Sequence, residues 1–373
     1  MVMLTTLAES TRATCGGKAA TLGVLLREGL PVPDGFVVPH FGALDGEVAA
    51  ALARMGDPPV AVRSSAAGED GAGASAAGQY ESVLAVQGAD AVAAAIRVCR
   101  DSASSARVAG YWHRSGGDTT PEMAVLVQRL IDAEVSGVMF TPARPGDPVR
   151  VEASWGLGLA VVGGTVTPDA FELAADGTIE RRIARKPTRL DRGSGGVVAR
   201  DVPLERQTSS TLDDGEVTRL AALGACAADL LGGPQDVEWA IADGVIWLLQ
   251  SRPVTAPLPP TPSGVPPAAS LTGTPGAHGV VTGTARVVRG PDDFGRVRPG
   301  EILICPYTDP AWTPLFTVAA AIVTETGGAL SHAAIVAREY RIPAVVGVPG
   351  AITRVPDGAR VTLDGTKGTL TLH

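Results

Sequence analysis

The sequence predicts a mixed α/β (α+β) chain of more than one domain, and three observations carry that expectation. Its 373 residues exceed what one hydrophobic core usually organises. Short β-branched runs alternate with stretches whose apolar residues recur every three or four positions, so strands and helices are interleaved. Prolines at 257, 259, 260, 262, 266 and 267 interrupt the pattern once. Such a segment is extended and semi-rigid, at about 3.1 Å per residue. The expected division is residues 1–255, a linker over 256–270, and residues 271–373.

Composition narrows the classes. A net charge of −8 without a basic cluster excludes nucleic acid as a partner. No apolar run approaches the ~18 residues of a membrane span, and no charged-then-apolar leader opens the chain, so a cytoplasmic protein without membrane contact is expected. Cys15, Cys99, Cys226 and Cys305 are scattered with no C-x-x-C pair, which suits a reducing compartment and argues against zinc. Lys18, Lys186 and Lys367 are the only lysines among 31 basic residues. A lysine kept among arginines suits a compact point charge on a phosphate.

In chain order, a helix follows Cys15-Gly16-Gly17-Lys18 and runs to Arg27, with Leu22, Leu25 and Leu26 on one face and Gly29 and Pro31 as its stop. Pro59 to Ser65 reads as a strand carrying Arg63, followed by a glycine- and alanine-rich loop from Gly68 through Gly78-Gln79. Asp90 to Ser115 reads as a helix with Val92, Ile96 and Val108 on its apolar side. Ala124 to Ile131 and Glu134 to Thr141 read as strands, the first carrying Gln128. Lys186, in a basic strand-like run, reads equally as a nucleotide contact and as part of a solvated face. Leu212 to Leu231 is an amphipathic helix, opened by Asp213 and Asp214 and closed by Gly232.

Gln235 to Arg252 reads as a hairpin. Val237, Trp239 and Ile241 alternate as one apolar face, and Val245, Trp247 and Leu249 as another. Keeping both on one side calls for a three-residue loop, Ala242-Asp243-Gly244, with Gly244 left-handed. The opposite face then gathers Glu238, Gln250 and Arg252. A carboxylate and an amide oxygen side by side suit Mg²⁺, which takes few protein oxygens beside phosphate. A plain cross-strand Glu238–Arg252 ion pair is the alternative.

The apolar run Val318 to Val323 reads as a strand, Gly327-Gly328 breaks it, and helical spacing begins at Ala329. His332 therefore falls in the first turn of a helix after a glycine loop. Backbone N–H groups and the helix dipole favour a phosphate there. The same dipole opposes an imidazolium and favours a neutral ring able to attack phosphorus.

The run Thr324-Glu325-Thr326-Gly327-Gly328-Ala329-Leu330-Ser331-His332-Ala333-Ala334-Ile335-Val336-Ala337-Arg338-Glu339, with Thr308 to Phe316 upstream, resembles the phosphohistidine segment of the phosphoenolpyruvate synthase, pyruvate phosphate dikinase and rifampicin phosphotransferase family. The likeness spans Gly273 to about Gly368. Gly16-Gly17-Lys18 with Leu30 to Phe36, Ala61-Val62-Arg63-Ser64-Ser65 with its loop, Val151 to Gly158, and the hairpin resemble the same family's nucleotide domain. The resemblance implies an ATP-grasp domain followed by a small β/β/α swivelling domain. It implies ATP and Mg²⁺, with Lys18, Arg63 and Arg252 on the phosphates and Glu238 and Gln250 on the metal. Gly78, Gln79 and Ser82 would lie in the closing loop, and Gln128 would meet the adenine edge. His332 would carry the phosphoryl group, with Thr324, Gly327, Gly328, Ser331 and Arg338 around it. Leu159 stands where relatives commonly carry glutamate.

By resemblance, ATP phosphorylates His332 with release of AMP and phosphate, and phospho-His332 serves a second site. Relatives carry a third region for the acceptor, a C-terminal barrel or a helical insert, which this sequence lacks. Three expectations follow: a kinase for a small-molecule alcohol or amine, the phosphorylating part of a split system whose acceptor sits on a separate protein, or a nucleotide-binding regulatory module without turnover. Lys18, Arg63, Glu238, Gln250, Arg252 and His332 occurring together count against the third.

Overall fold

Four sheets arrange the described residues of the computed structural model, which are 4–40, 45–66, 81–103, 123–256, 258–259 and 270–373. Gly78, Gln79, Val108 and most of the linker lie outside them. The first sheet has the order Thr5–Thr6, Gly35–Val38, Met123–Arg129, Val60–Ala66 and Ser82–Val86, all antiparallel. The second runs Val245–Pro253, Gln235–Ala242, Val135–Phe140, Val149–Trp155, Asp169–Leu173 and Ile179–Arg182, again antiparallel. Thr188–Gly193 and Gly196–Asp201 form a two-stranded ribbon. No helix among the described residues is long and apolar enough to cross a membrane.

The helix Arg12–Arg27 ties the first two sheets together. Leu22 and Leu25 are buried in one cluster with Leu126 of the first sheet and Trp239, Ile241, Ile246 and Leu248 of the second. The second long helix, Asp214–Leu231, adds Val217 and Leu220 to that core. Its start is a capping box, with Asp213 accepting from Glu216 N–H and Glu216 from Asp213 N–H. Gly232, at φ +77°, closes it left-handed, as its glycine predicts. The helix expected from Asp90 is Ala89–Ser102 within the described residues, with Val92 and Ile96 buried.

The third large sheet belongs to the C-terminal region, in the order Ser270–Thr272, Thr369–Leu372, Arg360–Asp364, Val280–Val287, Ile302–Cys305, Ala321–Thr324, Ala344–Val346 and Thr274–Ala277. Four consecutive strands from Val280–Val287 to Ala344–Val346 pair in parallel. Their alternate residues feed two cores: Ile302, Ile304 and Val323 on one face, Leu303 and Ile322 on the other. Cys305 ends its strand fully buried, and burial pushes its thiol up, so it is packing rather than chemistry.

The hairpin departs from expectation in an instructive way. Its turn is the two-residue Asp243-Gly244, with φ of +51° and +73°, and Ala242 pairs with Val245. Ile246 and Leu248, rather than Val245, Trp247 and Leu249, share the core face with Trp239 and Ile241. A bulge then absorbs Leu249, because Trp239 pairs with Leu248 while Glu238 pairs with Gln250. The extra residue expected in the loop thus sits inside the strand.

Lys186 is neither of the expected things. It is fully buried, 2.5 Å from Asp169 Oδ1, and it donates to Ala184 O. Asp169 also accepts from Ala184 N–H, Thr211 N–H and the Thr211 hydroxyl. Removing one partner of such a pair strands a buried charge. Asp169→Ala is expected to lower unfolding free energy by about 3–5 kcal/mol in urea titration. Lys186→Met is expected to cost less, because Asp169 keeps its three other donors.

Candidate active site

Gly16 starts the construction. It sits at φ +78° inside its helix, and a Cβ there would lie 1.9 Å from Ser65 O, so only glycine lets the helix start lie on the strand Val60–Ala66. Ser65 stitches the contact, donating to Cys15 O at 2.7 Å and accepting from Ala19 N–H at 3.1 Å. Lys18 is thereby drawn in, 5% exposed, with Nζ donating to Ser64 O at 3.1 Å.

Arg63, one residue earlier on that strand, reaches the hairpin. Its guanidinium donates to Leu249 O and to Gln250 Oε1, each at 3.3 Å, and lies 3.7 Å from Glu238. Glu238 and Gln250 are directly opposed across the hairpin, and so are Asp236 and Arg252. One sheet face therefore presents two carboxylates, an amide and a guanidinium. Arg252 holds Asp236 Oδ2 at 2.8 Å through both Nε and Nη2. Burial pushes the Asp236 carboxyl up, and Arg252 opposes that rise. Glu238 and Gln250 offer the hard oxygens a Mg²⁺ ion takes alongside phosphate. Among the described residues no group of three or more His, Cys, Asp or Glu side chains could hold a metal by itself.

His332 is the first residue of the helix His332–Tyr340, with Ser331 as its N-cap residue. Its ring is 5% exposed, and Nδ1 lies 2.9 Å from the Thr308 hydroxyl. A single cleft of about 360 Å³ is lined by His332 together with Lys18, Arg63, Ser82, Gln128, Glu238, Gln250 and Arg252. That size is within the range of small-molecule sites. The C-terminal region is therefore docked with its histidine facing the hairpin and the first strand. Gln128 is 2% exposed and gives its amide N–H to Pro33 O at 3.2 Å. Leu159 also lines the cleft.

The groups expected around the phosphoryl are not gathered on the ring. Thr324 donates to Thr326 O, and Ser331 to Gly328 O. Gly327, at φ +105°, packs against Gly164, and Gly328 faces the Glu152 carboxylate. Arg338 runs beneath the helix to Gly276 O and Ala329 O, at 2.9 and 2.8 Å. The reason is local: hydroxyls and a buried guanidinium beside an irregular glycine loop satisfy its carbonyls first. Burial lowers Arg338 to about 10, against the upward pull of Asp236 and Glu152.

Glu152, Asp236 and Thr308 carry no role in the sequence reading. Asp236 was visible as the residue two before Glu238, on the same strand face. Glu152 was visible as the one acid on the polar side, with Arg150 and Ser154, of the alternating strand Val149–Trp155. It is 4% exposed and accepts from Ala329 N–H at 2.6 Å and Leu330 N–H at 3.0 Å. Burial raises its carboxyl, while those two N–H groups, Arg182 and Arg338 oppose the rise.

Comparison with known proteins bears on this arrangement. Residues 42–259 match the pyruvate phosphate dikinase AMP/ATP-binding domain, and residues 297–368 match the mobile domain of PEP-utilising enzymes. The chain belongs to the pyruvate phosphate dikinase and phosphoenolpyruvate synthase family. A probable phosphoenolpyruvate synthase of Methanothermobacter thermautotrophicus is 33% identical over 95% of this chain and 60% of its own length. The phosphoenolpyruvate synthases of Pyrococcus furiosus and Escherichia coli are 38% and 36% identical over 83% of this chain, and 40% and 42% of their own lengths. The chain thus spans about half the length of the curated relatives it matches. Among solved structures, a D-alanine–D-alanine ligase of Bacillus anthracis overlaps 66% of this chain and 57% of its own at a TM-score of 0.34 and 10% identity. This family's ATP-binding domain, followed by its mobile domain, is the fold-level reading of the two regions.

The Thr308 contact makes a prediction independent of activity. The hydroxyl can accept from Nδ1–H or donate to a bare Nδ1; attack through Nε2 requires the first, with the proton on Nδ1 and the lone pair on Nε2. Histidine-selective ¹⁵N spectra are expected to show that tautomer for His332. Thr308→Val is expected to shift the tautomer ratio about five-fold toward Nε2–H, in line with a hydrogen bond of about 1 kcal/mol; Thr308→Ser should keep the wild-type spectrum.

Proposed function

We propose that this chain is an ATP-dependent phosphotransferase of the dikinase type, with His332 as the phosphoryl carrier. The observation that supports it is the shared cleft: the histidine lines the same cavity as the cationic and carboxylate side chains suited to a nucleotide triphosphate. Lys18 on the helix Arg12–Arg27, Arg63 on the strand Val60–Ala66 and Arg252 on the hairpin line the space in which triphosphate charge must be neutralised. Glu238 and Gln250 would hold Mg²⁺, which supplies charge neutralisation between phosphate oxygens.

His332 Nε2 attacks the β-phosphorus of ATP, and the bond from that phosphorus to AMP breaks. Water then removes the terminal phosphoryl as inorganic phosphate, leaving the β-phosphoryl on the ring. The imidazole is the only protein group in the scheme that changes covalent state, so rate comes from positioning and charge neutralisation. Thr308 orients the ring by holding Nδ1. Phospho-His332 then passes its group to an acceptor, a small-molecule alcohol or amine, or one held by a separate protein. Both require the C-terminal region to leave the nucleotide cleft, because the docked ring is 5% exposed.

Labelled ATP tests the reading. Radiolabel at the β position is expected on the protein in acid-labile form, with AMP and phosphate as products. His332→Ala should abolish labelling. Arg63→Ala should lower it by about 10²-fold or more, the usual cost of one group aimed at developing phosphoryl charge. Formation of ADP in place of AMP would exclude the dikinase reaction, and nucleotide binding without label or hydrolysis would leave a regulatory module.

A further inference from the structure

We propose that Arg192 is a positioning residue for the nucleobase, acting through Asp132 on the segment that joins the two sheets of the nucleotide-binding region. The ribbon that carries Arg192, Thr188–Gly193 with Gly196–Asp201, is then the back wall of the cleft's apolar end. The proposal rests on the nucleotide reading of the cleft and does not depend on the phosphohistidine step.

Residues 130–134 carry the chain from the strand Met123–Arg129 of the first sheet to Val135–Phe140 of the second. Backbone bonds tie the two ends of this segment. Leu130 N–H donates to Pro59 O and Glu134 N–H to Ile241 O, each at 2.9 Å. Its middle is held from outside. Arg192 grips the Asp132 carboxylate, with Nε 3.0 Å from Oδ1 and 2.9 Å from Oδ2, and Nη2 2.5 Å from Oδ2. The two side chains are 38% and 57% exposed, so charge alone contributes little. A guanidinium fork on a carboxylate is the exception, because it fixes direction as well as distance.

The ribbon places Arg192 there by its own alternation. Arg192 pairs with Val197 and Leu190 with Ala199, so Leu190, Arg192 and Val197 share one face. Leu190 and Val197 pack into the cluster that holds Leu130, Ile131, Ala133, Leu157 and Leu249. The root of the ribbon is fixed to the second sheet's side. Leu157 N–H donates to Leu190 O at 2.7 Å, and a Cβ on Gly156, which sits at φ +80°, would lie 2.3 Å from the same oxygen. Its tip, residues 193–196, shares a groove with Leu84, Ala85 and Val86 at the edge of the first sheet. The ribbon therefore bridges both sheets behind the joining segment.

Leu130, Ile131, Ala133, Leu157 and Leu249 also line the cleft, whereas Asp132 and Arg192 do not. A triphosphate takes the part with Lys18, Arg63 and Arg252, so the flat, uncharged base falls to the apolar wall. The ribbon supports that wall from outside. Loosening it should weaken ligands that carry a base and spare a ligand that is phosphate alone.

The test uses the full chain with Arg192→Ala, Arg192→Lys, Asp132→Ala, the Arg192→Ala/Asp132→Ala pair and the exchange Arg192→Asp/Asp132→Arg. ATP, AMP and inorganic tripolyphosphate, each with Mg²⁺, are titrated in calorimetry. Arg192→Ala and Asp132→Ala are each expected to weaken ATP and AMP about three- to five-fold, the upper scale of a well-formed surface ion pair. Tripolyphosphate affinity should stay at the wild-type value. The pair should bind ATP no more weakly than the weaker single, because the two substitutions remove one contact. The exchange should recover most of the loss. Tripolyphosphate weakened as much as ATP, losses that multiply in the pair, or wild-type ATP affinity in both singles would overturn the proposal. Arg192→Lys keeps the charge without the fork and should lose part of the ATP affinity; it decides the matter if an alanine variant does not fold. Wild-type protein that binds ATP no more tightly than tripolyphosphate, and does not bind AMP, would remove the nucleotide reading itself. Tight ATP binding that the singles leave unchanged would remove only the role of Arg192.

Discussion

Along a β-strand each step moves the side chain to the other face, so one inserted residue exchanges core for solvent in everything beyond it. The hairpin Gln235–Pro253 uses that constraint. Counted from the turn, Ile246 and Leu248 join Trp239 and Ile241 in the core. Without the bulge at Leu249, Gln250 and Arg252 would follow them inward. The bulge reverses the parity and sets Gln250 opposite Glu238 and Arg252 opposite Asp236. Arg63 then has a face to reach, and the cleft acquires its polar wall. Bulges beside functional clefts commonly re-aim side chains in this way.

The second determinant is where charge is buried. Two carboxylates of the nucleotide-binding region, Glu152 and Asp236, lie beside Arg252 and the incoming Arg338. Desolvation raises both acids and lowers Arg338, so each pays part of the cost of the other's burial. An interface built on such groups, rather than on a broad apolar patch, gains less from association than a core does and suits a contact that must open. The apolar side of the contact is small by comparison: Leu330 joins Val138, Phe140 and Val161. The chemistry proposed for His332 requires such reversibility, since a ring that is nearly covered can serve only the site that covers it.

Much of this was legible from spacing. Helix limits followed from Gly29, Asp213 and Gly232, and the strand–glycine loop–helix order around His332 was visible in its apolar periods. The six side chains singled out for nucleotide and phosphoryl chemistry, from Lys18 to His332, do line one cleft. The failures share a cause. Lys186 reads equally as a nucleotide contact and as part of a solvated face until Asp169 is brought to it, and Arg338 reads as a phosphate ligand until Gly276 and Ala329 claim it. The hairpin loop was placed one residue too long because a turn and a bulge can satisfy the same alternation.

The sequence by itself determined which segments form strands and helices, which glycines end or bend them, and which residue types could meet a nucleotide and carry its phosphoryl group. Those properties depend on neighbours within one or two turns of chain. Only the tertiary structure decided which charges are spent on each other, which glycine is needed by a distant side chain, and that the His332 ring looks into the cleft. Glu152 and Ala329 stand 177 residues apart, and no local period encodes a contact of that range.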